Sequence, residues 1–266
     1  MDDEAFISEA LRIVEAAERR GVTLRILGAL AIRLHSGEHS KLHISLERLG
    51  TDRSFTDIDL IAYGKERHKV RALMEDDLGF QISPQTLLMH GKERLIYWHP
   101  EGLYRVDVFF DKLRFSHDID FGDNPKNGRL AMDYPTIPLA ELLLEKLQIH
   151  DITEKDIKDV IVLLRAHRLS EEDEEEALNM EYISRILADD WGFWYDAVQN
   201  LRKVGESLER CLEKGIISEE DARDVSSKVE KLLHHIDAKP KTSRWMKRMR
   251  EGLDKKWWRD VEEFSR

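Results

Sequence analysis

The chain of 266 residues contains a single cysteine, Cys211, and no unbroken apolar run of the length a bilayer demands. One thiol excludes an internal disulfide and any metal cluster built on cysteines. Without about 18 consecutive apolar residues, no membrane-spanning helix is expected. Asn, Gln and Cys are scarce while 36% of residues are charged, the direction in which thermophile compositions drift. Positive charge is in the minority: 42 Lys and Arg against 53 Asp and Glu leave a formal net charge of −11. That balance argues against general nucleic-acid binding. The opening Met1-Asp2-Asp3-Glu4 is acidic and runs directly into an amphipathic helix pattern, unlike a secretory signal. A cytoplasmic protein with no membrane partner is the expectation.

What is present is more telling. In Phe55-Thr56-Asp57-Ile58-Asp59-Leu60-Ile61-Ala62 two carboxylates occupy alternate positions of an apolar run. On a β-strand, side chains two residues apart share a face and stand roughly 6.5 Å from each other. Two such anions repel, and a divalent cation resolves the repulsion. Mg²⁺ is commonly held by one or two carboxylates together with substrate phosphates. Upstream, Thr23-Leu24-Arg25-Ile26-Leu27-Gly28-Ala29 reads as a short strand turning at a glycine into a helix. Backbone N–H groups at such a turn cradle phosphate. Downstream, Arg105-Val106-Asp107-Val108-Phe109-Phe110 places one acid in an apolar strand, which is unfavourable unless that acid is paired or metal-bound. The bland alternative is an edge strand whose polar face is in water.

The order strand, Gly28-Ala29, helix, Asp57-x-Asp59 and later Asp107 resembles the DNA polymerase β-type nucleotidyltransferase superfamily. Within it, the chain is most similar to the AbiEii-type nucleotidyltransferases, over residues 20–165. Arg53 stands four residues before Asp57, and Lys146 is followed by Lys155-Asp156-Ile157-Lys158-Asp159, both as in those relatives. Ala29 departs from the family's Gly or Ser, removing a hydroxyl contact to phosphate but keeping the backbone N–H. The stretch between Gly28 and Asp57 is longer than usual, with an insertion around Ser36 to Asp52 that reads either as a lid or as a surface excursion.

The resemblance implies an α+β fold with a nucleotidyltransferase-like mixed sheet and flanking helices; the prolines at 135 and 138 bound that domain at residues 1–135 and leave a helical domain over 136–266, for which no resemblance is found beyond residue 165. It implies transfer of a nucleoside monophosphate from an NTP to an acceptor hydroxyl on tRNA or other RNA, protein or a small molecule, with a toxin acting on tRNA among the outcomes. Mg²⁺, with Mn²⁺ as substitute, would be held by Asp57, Asp59 and Asp107. Asp107 would also take the acceptor proton. Gly28, Ala29, Arg53 and Lys146 would contact the nucleotide. A homodimer or an antitoxin-like partner is compatible with this reading. The competing reading is a catalytically inactive relic of the fold that binds a nucleotide or a partner, motivated by Ala29.

Other features carry less. Pro135 and Pro138 mark a boundary, beyond which everything reads helical. Thr153-x-x-Asp156 and Ser218-x-x-Asp221 are helix-capping patterns. His117-Asp118-Ile119-Asp120 reads as a polar hairpin. His35, His39 and His43 have the spacing of zinc ligands, but Gly37 interrupts them and no carboxylate partner is evident in the sequence, so solvated histidines are expected. Trp245, Met249, Leu253, Trp257 and Val261 recur every four residues as one face of a helix. Its tryptophans are expected to pack, while its basic face remains open to RNA phosphates or solvent.

Overall fold

Alternating apolar residues in two short segments and helical periodicity elsewhere yield a mixed α+β protein. The computed structural model describes residues 2–48 and 55–261. The chain begins with α1 (Asp3–Arg19), β1 (Leu24–Ile26), α2 (Gly28–His35) and α3 (Ser40–Ser45). Next come β2 (Asp57–Ala62), α4 (Arg67–Ala72), β3 (Gln81–Ile82), α5 (Pro84–His90), β4 (Arg94–Trp98) and β5 (Arg105–Phe110). Short strands β6 (Lys112–Arg114) and β7 (Asp118–Asp120) precede α6 (Leu139–Leu147) and α7 (Glu154–Ala166). Strands β8 (Arg168–Ser170) and β9 (Ala177–Asn179) lead to α8 (Met180–Asp189), α9 (Trp191–Glu213), α10 (Glu219–Ala238) and α11 (Ser243–Met249).

Contacts divide the chain into two units. The first draws on Met1–Leu34, Leu49–Leu113 and Ile119–Pro138, and the second on His35–Arg48, Arg114–Asp118 and Leu139–Arg266. The division near Pro138 lies close to the expected boundary at 135/136. The described part of the insertion, through Arg48, joins the helical unit because His43 on α3 is buried against Asp159 on α7, with Nε2 2.8 Å from Oδ1.

In the first unit the sheet order is β1-β2-β5-β4-β3, with β6 and β7 appended through β5. Strands β2 and β5 are parallel, and the pairs β1·β2, β4·β5 and β3·β4 are antiparallel. Helix α1 buries Phe6, Ala10, Ile13, Val14 and Ala17, the spacing of one helical face. Asp2 caps it by accepting the Ala5 N–H at 2.9 Å. Pro84 opens α5, because proline suits the first turn of a helix, where no N–H is needed.

In the second unit, β8 and β9 form a two-stranded parallel pair, an exception to the all-helical expectation after Pro138. Thr153 and Ser218 cap α7 and α10 as their patterns predict, each accepting from the N–H three residues on. Helix α11 ends at Met249, and Gly252 adopts φ +61°, so the expected longer amphipathic helix does not form. Among the described residues, no helix is long and apolar enough to cross a membrane.

Candidate active site

Gly28 opens α2 at φ +73°, a left-handed conformation that favours glycine. The preceding Leu27 N–H donates to the Asp59 carbonyl at 3.0 Å, tying this turn to the acidic strand. Ala29, the next residue, is half-buried. The β2–β5 register then sets the site. Asp57 lies opposite Arg105, and Asp59 opposite Asp107. Paired residues of neighbouring strands share a face, so Asp57, Asp59, Arg105 and Asp107 all point to one side. Arg94 on β4 joins them, since Arg94 pairs with Phe109, two residues beyond Asp107. The three expected acids are thus brought to one face of the sheet beside the glycine turn.

The arginines were not anticipated. Arg94 Nη2 donates to Asp107 Oδ2 at 2.6 Å. Arg105 Nη2 lies 3.0 Å from Asp57 Oδ2 and 3.1 Å from Asp107 Oδ2. Asp107 is fully buried, and its Oδ1 has no hydrogen-bond partner. Burial raises the Asp107 carboxyl above the ordinary aspartate range, with Arg94 and Arg105 pulling the other way. Among the described residues, the three aspartates do not bring one oxygen each within 4.8 Å of one another. Three carboxylates match the hard-oxygen preference of Mg²⁺, and the unclaimed Oδ1 of Asp107 is a ligand atom in need of a partner. A cation between Asp57 and Asp107 would first have to displace the Arg105 guanidinium. The alternating acids announced their own site. Arg105, also two residues from an acid, carries the same alternation signal.

Arg53 lies outside the described residues. Lys146, the other expected nucleotide contact, sits on α6 in the helical unit with a nearly buried side chain. Its Nζ is 3.2 Å from both Asp156 Oδ1 and Asp159 Oδ2, and 3.8 Å from Glu145 Oε1. Arg48 Nε adds a 2.7 Å bond to Asp159. Burial alone would lower the lysine's proton affinity, but Asp159, Asp156 and Glu145 outweigh it and leave Lys146 above the ordinary lysine range. Its charge neutralises its own unit's buried acids. Asp156 and Asp159 on α7 thus meet a cation from α6.

The histidines also depart from expectation. His43 is fully buried on Asp159 rather than solvated. His35 Nδ1 lies 3.0 Å from Glu176 Oε1, and His167 Nδ1 lies 3.2 Å from Glu176 Oε2. Sequence inspection missed these partners because they are remote in the chain. His117, from the expected polar hairpin, is likewise buried, 2.7 Å from Asp196.

A cavity of about 460 Å³ in the helical unit is lined by Trp191, Trp257, Trp258, Arg244, Arg248, Lys256 and Arg259, with Asp118, Asp189 and Asp190 among them. Trp257 packs with its ring 5.5 Å from Trp191 and 5.0 Å from Tyr195, and its Nε1 donates to Asp196 at 3.1 Å. The tryptophans pack, as expected, Trp245 from α11 and Trp257 and Trp258 from an irregular segment rather than a continued helix face. The basic side chains are largely matched: Arg244 lies 2.9 Å from Asp189, Lys256 lies 2.7 Å from Asp260, and Arg259 bonds Asp118. No family model, curated protein or solved structure matches this chain.

Proposed function

We propose that this protein is a Mg²⁺-dependent nucleotidyltransferase of the polymerase β type, transferring a nucleoside monophosphate from an NTP to an acceptor hydroxyl with release of pyrophosphate. The observation that carries the reading is the register of Asp59 opposite Asp107, with Asp57 on the same face and Gly28 turning into α2 beside them. Asp57 and Asp59 would hold the ion, and Asp107 Oδ1 would take the acceptor proton. Mg²⁺, when bound, supplies positive charge to the phosphoryl group and lowers the pKa of an adjacent hydroxyl. The backbone of Gly28 and Ala29 is placed to meet phosphate oxygens. Arg105 and Arg94 offer guanidinium groups that pair bidentately with phosphate once released from carboxylate. RNA, protein and small-molecule hydroxyls all fit this chemistry as acceptors, and a tRNA-directed toxin is one form it takes.

A second reading rests on a specific observation. Arg94 and Arg105 already neutralise Asp107 and Asp57, as expected of a nucleotidyltransferase-like relic that binds a nucleotide or partner without chemistry. One experiment separates the two: pyrophosphate release from each NTP in the presence of cell extract, with and without Mg²⁺. Wild-type release that falls by about 100-fold or more in Asp57→Asn/Asp59→Asn supports catalysis. Equal release from the two proteins supports the relic. Loss of release in Arg105→Gln would assign that arginine to the triphosphate, and a gain would make it a competitor of the ion.

A further inference from the structure

Away from the acidic strand, the helical unit gathers two imidazoles and one carboxylate at a single point. Among the described residues, His35, His167 and Glu176 form the one set of three such ligands whose donor atoms all lie within 4.8 Å. Ligands at tetrahedral positions about Zn²⁺, with bonds of 2.0–2.2 Å, stand roughly 3.4 Å apart. His35 Nδ1 lies 3.0 Å from Glu176 Oε1 and His167 Nδ1 lies 3.2 Å from Oε2 of the same carboxylate, and one donor atom from each residue lies within 4.8 Å of the other two. The ring centroids of the two histidines are 5.8 Å apart and nearly perpendicular, at 77°. Both imidazole nitrogens face the carboxylate rather than stacking away from it.

Two further facts fit a metal better than a surface ion pair. His167 is 3% exposed, so its ring is poorly placed to carry charge. A neutral imidazole is the form that ligates metal. Glu176 adopts φ +52°, a left-handed conformation uncommon for a residue with a side chain. That backbone carries its carboxylate to both rings.

We propose that His35, His167 and Glu176 bind a borderline first-row divalent cation, Zn²⁺ foremost, through two nitrogens and one oxygen. Such an ion clips His35 to the turn joining β8 and β9 within the helical unit. Two imidazoles and one carboxylate suit Zn²⁺ over Mg²⁺, which prefers oxygen ligands throughout. Three protein ligands leave a coordination position for water. The site is separate from the aspartates of the proposed reaction and does not depend on that reading.

The test is isothermal titration of the metal-stripped full chain with ZnCl₂, run with excess MgCl₂ present. One Zn²⁺ per chain is expected, with affinity lowered by more than about 100-fold in Glu176→Gln and in His35→Gln. His39→Gln and Asp57→Asn/Asp59→Asn are expected to bind as wild type does. Glu176 is exposed, so its substitution leaves packing intact, and circular dichroism of each variant verifies folding. Absence of tight Zn²⁺ binding to the wild-type chain would overturn the proposal and leave a hydrogen-bonded His-Glu-His network. Binding that survives Glu176→Gln and His35→Gln, or that disappears with Asp57→Asn/Asp59→Asn, would overturn it equally.

Discussion

At the residue scale, the heaviest electrostatic demand falls on Asp159. It is fully buried, yet Lys146, a hydrogen bond from His43 and the charge of Arg48 overcome that burial and hold its pKa below the ordinary aspartate range. Removing one partner of a buried ion cluster strands the other charges. Asp159→Asn is therefore expected to lower stability by about 3 kcal/mol at neutral pH, measured by urea denaturation. Because the folded-state pKa is depressed, this contribution is complete above the unfolded value, about pH 4, and is lost as pH falls through the folded value. The stability difference between wild type and variant should accordingly shrink as pH drops below about 4. A difference that is small at pH 7, or that stays constant with pH, would show that the cluster contributes little.

At the scale of elements, capping was legible and termination was not. Thr153 and Ser218 each accept an N–H and return a hydroxyl to the acid three residues on, at 2.7 Å in both cases. Thr153→Ala and Ser218→Ala should each destabilise by about 1 kcal/mol, read as a drop in thermal midpoint. No drop in either would mean that water replaces the cap. The C-terminal segment shows the opposite situation. Its four-residue repeat predicts a long helix, but the backbone leaves the helix after Met249, and Trp257 settles against α9 where Gly192 allows it. A Cβ at Gly192 would stand 3.0 Å from Trp257 Cδ1. Periodicity describes a helix in isolation, whereas an aromatic cluster that buries more surface overrides it.

At the scale of the whole molecule, each of the two units holds its own buried core. Five of the six tryptophans (191, 194, 245, 257 and 258) belong to the helical unit, so intrinsic fluorescence reports mainly on that unit. Far-UV circular dichroism reports on both. Multi-unit chains commonly depart from two-state unfolding, and the two signals are expected to give different midpoints in a urea titration. Superimposable transitions would show instead that the chain unfolds as one cooperative body.

The sequence by itself determined that Asp57 and Asp59 share a strand face, because alternation is a local rule, whereas the β2–β5 register brought Asp107 and Arg105 to it. The sequence also determined the glycine turn before α2 and the caps of α7 and α10, which depend on neighbours within a few residues. Tertiary structure alone decided what those charges meet. Arg105 reaches Asp57 from another strand, Lys146 turns to the acids of α7, and His35 finds Glu176 across 141 positions of chain. Side chains choose counter-charges by distance in space, and in a buried setting that choice governs protonation, metal affinity and stability together.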